Sequence, residues 1–316
     1  METLSTGGLP LKFFVAKIPK NYMLFFGKIL GSLIYFLAVP QRRIVRRNLQ
    51  FSHFASSPKQ IQIMAKRIFQ NFGITILELL QMTCFSQKEL LANLQVENKG
   101  ILLEALARKR GVVLITAHMG NYEMAWQYVP CYFGRQMVGV AKKMRNVWFD
   151  RLLHHIRTRF GNRIIYKKGA LPEMMRTLRR GEIVGILMDI SRRFDGVEVN
   201  FMGRRATATP AAALLGLRCK SPIIPAFCHR SGNGKLIVHI ERPIDIQRTK
   251  NLRFDLQTNT QLITDRVERA VRSYPEQWNW MLRRWKEFYP TLYPETAKRL
   301  RKIKEKGKKG EKRKVT

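Results

Sequence analysis

Hydrophobic residues fall in three patterns along the chain. Residues 21–40 read NYMLFFGKILGSLIYFLAVP, with 14 of 20 positions apolar. A bilayer-spanning helix needs about 20 such residues, although Lys28 and two glycines weaken the stretch. Over residues 58–82 apolar side chains return every three or four positions (Ile61, Met64, Ile68, Phe72, Leu79), which predicts a helix. From residue 111 the pattern changes to short runs rich in Val and Ile: GVVLIT (111–116), MVGV (137–140), RIIY (163–166), IVGILM (183–188), PIIPAF (222–227) and LIVHI (236–240). Helical stretches separate these runs. Continuous apolar strands alternating with helices predict an α/β fold, a central mixed sheet flanked by helices and buried on both faces.

Charge refines the division. The chain has 316 residues, 58 Lys+Arg against 22 Asp+Glu, and a formal charge of +36. An apolar share of 45% excludes wholesale disorder. The charge implies a polyanionic partner, either nucleic acid or phosphate-bearing lipid. It is concentrated in three places. Arg42, Arg43, Arg46 and Arg47 follow the apolar stretch, and Lys12, Lys17 and Lys20 precede it. Residues 135–180 hold thirteen basic and two acidic residues, net +11, inside the predicted α/β region. Residues 297–316 hold eleven basic and two acidic residues, net +9, in a low-complexity tail expected to be disordered. The division is therefore 1–50, an N-terminal membrane-anchor helix with its basic flank; 51–296, the folded domain; and 297–316, the tail. The anchor either spans the bilayer or lies in its interface, with the rest cytoplasmic by the positive-inside bias. An ordinary buried helix is the alternative. No small-residue cleavage site follows, so no removed signal is expected. Cys84, Cys131, Cys219 and Cys228 lack metal-finger or disulfide-framework spacing and read as reduced thiols.

The sharpest local feature is T-A-H-M-G-N-Y-E, residues 116–123. It follows a predicted strand, so His118 falls at the carboxyl end of a strand, where open α/β sheets place their sites. Gly120 permits a tight turn, and Asn121 is a good N-cap for the helix that follows. On one continuous helix His118 and Glu123 would not share a face. The intervening turn allows Glu123 to fold back on the imidazole, where it fixes the tautomer and makes His118 a general base. His154 and His155 read as surface residues, and His229 and His239 as structural ones. Trp278, Trp280 and Trp285 read as core, with the membrane interface as the alternative.

H-x-x-x-x-[D/E] after a strand resembles the signature of glycerolipid acyltransferases. The longer pattern resembles one branch, the lipid A biosynthesis (late, lauroyl or myristoyl) acyltransferases. The supporting blocks are Arg46-Arg47-Asn48-Leu49 with Phe51, and Asn71-Phe72-Gly73 through Glu78-Leu79-Leu80. Next come His118–Glu123, Arg157-Thr158-Arg159-Phe160-Gly161, and Arg180-Gly181-Glu182 leading to Asp189. Phe201-Met202-Gly203 with Ala206-Thr207, Tyr274–Trp278 and Arg283–Lys286 complete the set. The resemblance spans about residues 25–290. Two departures fall together: Ile190 follows Asp189 where the family has Gln, and Ser191–Asp195 replaces an aromatic-Gly stretch.

The resemblance implies a glycerolipid acyltransferase-like fold and an acyl-carrier-dependent O-acyltransferase of the bacterial inner membrane, working on its cytoplasmic face. It implies transfer from acyl carrier protein to a hydroxyl of a phosphorylated glycolipid, a lipid A precursor. His118 and Glu123 are the expected catalytic pair. Arg157, Arg159, Asp189, Gly120, Asn121 and Arg284 are expected at the substrate. Backbone near Gly120, or Arg157, is expected to stabilise the oxyanion. No metal or cofactor is expected beyond the acyl carrier co-substrate, and an anionic membrane is the expected surface. Other glycolipids, mannosides among them, and lysophospholipids remain alternative acceptors, although no F-P-E-G-type motif is present. A non-enzymatic basic protein binding membrane or nucleic acid accounts for the tail but not for the ordered blocks from 118 to 286, so no nucleic acid is expected.

Overall fold

A computed structural model describes residues 17–295 apart from 142, 145, 167 and 168. The basic tail lies outside the described residues. Helices α1 (Lys20–Leu37), α2 (Val39–Phe51), α3 (Pro58–Met82) and α4 (Gln87–Ala92) come first. Then follow β1 (Leu94–Glu97), α5 (Lys99–Ala107), β2 (Val112–Thr116), α6 (Tyr122–Phe133), β3 (Met137–Ala141), α7 (Val147–Thr158), β4 (Arg163–Tyr166), α8 (Ala170–Arg179) and β5 (Ile183–Leu187). The chain continues through β6 (Val197–Phe201), β7 (Arg204–Ala208), α9 (Ala211–Cys219), β8 (Ile223–Arg230), β9 (Leu236–Ile240) and α10 (Leu252–Ser273).

The central sheet has seven strands in the order β1-β9-β8-β2-β5-β3-β4. Its pairs are parallel except β8–β9, so the sheet is mostly parallel with a reversed edge. All six predicted apolar runs are strands of this sheet. They are legible because helices cover both faces. Three strands escaped the pattern. β1 is a four-residue edge strand, and β6 and β7 form a separate antiparallel hairpin. Met202 and Gly203 make its turn at φ +55° and +72°, the left-handed pair that a two-residue hairpin needs.

The N-terminal stretch folds as a docked helix. Gly27 and Gly31 on α1 face Gly73 on α3. A Cβ on Gly31 would stand 2.1 Å from the Phe69 carbonyl, and one on Gly73 would stand 2.3 Å from that of Gly27. The two glycines are the notch that brings the helix backbones together. Met23 and Tyr35 complete the buried face, while Tyr22, Phe25, Phe26, Ile29, Leu33, Phe36 and Leu37 stay exposed. Among the described residues no single helix is long and apolar enough to cross a membrane; α1 and α2 pass only as a pair, bent by 94°. The stretch expected as an anchor, spanning or interfacial, is thus one docked helix that ends at a sharp bend into α2.

α2 is pinned by Asn48, which is fully buried. Its amide donates to the Trp280 and Leu282 carbonyls at 2.8 and 2.9 Å, and its oxygen accepts from the Tyr293 hydroxyl at 2.7 Å. Trp278, Trp280 and Trp285 are all core. The four cysteines are free thiols.

Candidate active site

The strand register builds the site. β2 and β5 run parallel with Thr116 opposite Leu187. Two residues further on, His118 therefore meets Asp189 at the carboxyl edge of the sheet. The His118 Nδ1 lies 2.8 Å from Asp189 Oδ1. The other carboxylate oxygen accepts the His118 backbone N–H and the Trp278 indole N–H, both at 2.8 Å. Asp189 is fully buried, and although burial pushes its pKa up, the charge and hydrogen bonds of His118 and the Trp278 bond hold it below the ordinary value. An ionised Asp189 can only accept, so Nδ1 carries the proton and Nε2 is the basic nitrogen. Burial opposes the imidazolium, but Asp189 outweighs it, and the net is a His118 pKa above its usual value.

This corrects the expected His118–Glu123 pairing. Glu123 sits in the first turn of α6 and is held by Arg157 from the last turn of α7. Arg157 Nε donates to both Glu123 oxygens, at 3.0 and 2.9 Å, and Nη2 donates to one of them. The pair is bidentate. Glu123 still contributes its charge near His118. Tyr122, which the sequence reading passed over, packs edge-on against the imidazole with ring centroids 5.1 Å apart. Its place inside the motif was the available signal.

The turn between His118 and α6 is held from outside. Asn279 N–H donates to the His118 carbonyl at 2.9 Å, and Gly120 N–H to the Gln277 carbonyl at 3.0 Å. Gly120 has φ +54°, and a Cβ there would meet the Cys228 carbonyl at 2.4 Å. Asn121 is fully buried. Its oxygen caps Met124 N–H at 3.0 Å and its amide donates to Glu78 at 3.0 Å. Glu78 is itself ion-paired with buried Arg230 at 2.6 Å.

Five of the expected substrate contacts are thus engaged within the fold. Gly120 and Asn121 shape the turn, and the Gly120 N–H is engaged by Gln277 rather than open to an oxyanion. Arg159 donates to the Met82 carbonyl at 2.9 Å, at the end of α3. Arg284 is 1% exposed, bonds the Thr207 carbonyl and lies 4.9 Å over the Phe201 ring; burial pushes its pKa down to about 10. Asp189 touches His118 and Trp278 rather than facing open space. Of the expected contacts, Arg157 lines the cavity described next.

A cavity of about 570 Å³ opens at His118, Tyr122, Glu123 and Arg157. From that polar end it runs along one face of the sheet, between α5, α6 and α7, as far as Val96, Val238 and Ile240. Its volume is in the range of ligand sites, and away from the mouth its lining is aliphatic and aromatic. Trp126 forms one wall. Its indole covers Gly139 and Gly185, paired residues on β3 and β5, where any Cβ would stand within 2.5 Å of the ring. Among the described residues no group of three or more His, Cys, Asp or Glu side chains is placed to hold a metal ion.

A long apolar cavity with an oriented imidazole at its mouth has room for an acyl chain beside a base, and the comparisons with known proteins give the class as acyltransferase. The sequence profile of the bacterial lipid A biosynthesis acyltransferases matches residues 6–287, and the chain belongs to that family. It is 23% identical over 293 residues to the lipid A biosynthesis lauroyltransferase of Escherichia coli K12, covering 90% of this chain and 93% of that protein. It is 26% identical over 152 residues to the myristoyltransferase of the same organism, covering 48% of this chain and 46% of that one. It is also similar to the phosphatidylinositol mannoside acyltransferase of Mycolicibacterium smegmatis, 24% identical over 189 residues, 58% of this chain and 60% of that one.

Proposed function

We propose that this chain moves a fatty acyl group from an acyl carrier protein thioester to a hydroxyl of a lipid A precursor. One observation supports this above the others: His118 is oriented by Asp189 at the polar end of an apolar cavity. His118 Nε2 takes the proton of the acceptor hydroxyl as its oxygen bonds to the thioester carbonyl. The tetrahedral oxyanion faces Arg157, whose guanidinium Glu123 holds in place. The C–S bond then breaks, and the proton passes from His118 to the leaving sulfur. The acyl chain occupies the cavity under Trp126. Asp189 is a positioning residue that fixes the tautomer and supports the imidazolium. No protein nucleophile is required.

The membrane enters through α1. Its exposed apolar face lies in the interface of the bacterial inner membrane on the cytoplasmic side, and the arginines of α2 meet anionic head groups. The same basic surface receives acyl carrier protein, which is acidic.

The mannoside acyltransferase relatives favour a second acceptor, a mannosylated phospholipid. The Ile190–Asp195 segment departs from the lipid A pattern, which leaves acceptor choice to that loop. The test supplies purified protein with labelled acyl carrier protein thioester and each acceptor in turn. Label on the lipid A precursor, lost in His118→Ala, is the expected result. Label on the mannoside alone selects the second reading, and label on neither overturns both.

A further inference from the structure

Besides α1, a second apolar surface surrounds the cavity mouth. β5, β3 and β4 are neighbours and run parallel, so the segments leaving their carboxyl ends emerge along one edge. Each delivers exposed apolar side chains there. After β5 come Ile190 and Phe194, and Phe194 is 89% exposed. After β3 come Met144, Trp148 and Phe149, and Trp148 is 75% exposed. Tyr166 closes β4 and is also exposed. Met144 and Ile190 line the cavity itself, so the patch is continuous with it.

Cations stand beside the two outermost rings. The Arg151 guanidinium lies 5.9 Å from the Trp148 ring centre, and that of Arg193 5.1 Å from Phe194. Lys143 lines the mouth and is exposed. Lone surface hydrophobics need no explanation, but large aromatics grouped around a cavity mark a contact surface. An acidic protein partner would call for the cations alone. Protruding Trp and Phe rings flanked by arginines match the head-group layer of an anionic bilayer.

We infer that this rim is a second membrane-docking surface, which seats the mouth of the cavity against anionic lipid so that lipid enters it without crossing water. This rests on the acyl-transfer reading and adds to the α1 contact.

The test uses the full chain and the fluorescence of Trp148. Trp278, Trp280 and Trp285 are buried in the core, and Trp126 stands in the cavity wall. The difference between the parent and Trp148→Phe therefore isolates the rim. Vesicles of phosphatidylglycerol and phosphatidylcholine should shift this difference signal to the blue. Phosphatidylcholine brominated on its chains should quench it. Phe194→Trp, added to Trp148→Phe, should restore both effects. Trp148→Ser should lower transfer to a vesicle-embedded acceptor about tenfold and leave transfer in detergent micelles unchanged. Vesicle binding with no change at residues 148 and 194 overturns the rim and leaves α1 docking and acyl transfer standing. An equal loss in micelles with a raised KM for acyl carrier protein also overturns it, and assigns the rim to that protein. No vesicle binding at all overturns both docking surfaces.

Discussion

His118 is oriented by a carboxylate 71 residues away in sequence. The T-A-H-M-G-N-Y-E motif identified the imidazole, the turn and the Asn121 cap, because these are local. It did not identify the orienting partner, because that depends on the β2–β5 register, which brings Asp189 beside His118. Nor did it reveal Trp278, whose indole bonds the same carboxylate from the far end of the chain. The two acidic residues should therefore behave differently on substitution. Asp189→Asn removes the support of the imidazolium and presents the wrong hydrogen-bond donor to Nδ1. Turnover should fall by about 10³-fold or more with the fold intact by circular dichroism. Glu123→Gln instead loosens Arg157, and should lower turnover by about 10²-fold, the usual cost of one oxyanion donor. Arg157→Lys should fall in the same range, since an ammonium cannot reproduce the bidentate fork. Equal effects from Asp189→Asn and Glu123→Gln, with one shared pH profile, would mean that the two carboxylates act on the same group.

Among elements, α1 best shows what a pattern can mislead about. Its apolar run was legible, and so were its glycines, which looked like weaknesses in a bilayer span. They are the contact with α3, and that is visible only when Gly73 is brought opposite. Gly31→Ala forces the helix backbones apart. Overpacking of this kind costs about 1–3 kcal/mol, and thermal unfolding should move down accordingly, while Gly100→Ala, inside α5 with nothing within 4 Å, should hold it or raise it slightly. An unchanged midpoint in Gly31→Ala would mean that α1 is not docked in solution. The six apolar runs were readable as strands because both sheet faces are covered. β1, β6 and β7 were not, because polar residues interrupt them (LQVE, VEVNF and RRATA). The hairpin turn at Met202 and Gly203 had carried only a motif resemblance, and its backbone geometry now accounts for the glycine.

Across the whole molecule the +36 charge resolves into surfaces with different neighbours. The α2 arginines flank an apolar helix face, and part of the net +11 block surrounds the cavity mouth. Vesicle binding should weaken steeply as salt rises and should be stronger for anionic than for zwitterionic vesicles. Phe25→Ser with Ile29→Ser and Leu33→Ser should reduce it further at every salt concentration, because these residues supply burial rather than charge. A salt-independent affinity would remove the electrostatic part of the account.

The central claim is that a His118 held by Asp189 is the base for acyl transfer, and the pH dependence of transfer tests it most directly. The neutral imidazole is the active form, and Asp189 raises its pKa above the usual value. Transfer by the parent should therefore rise with pH through a midpoint above the ordinary histidine range of about 6.5 and then level off. In Asp189→Asn burial remains and the supporting charge is gone, so the midpoint should move to lower pH on a much lower plateau. A parent profile with no rising limb in this region, or an Asp189→Asn profile with the parent's midpoint, contradicts the account.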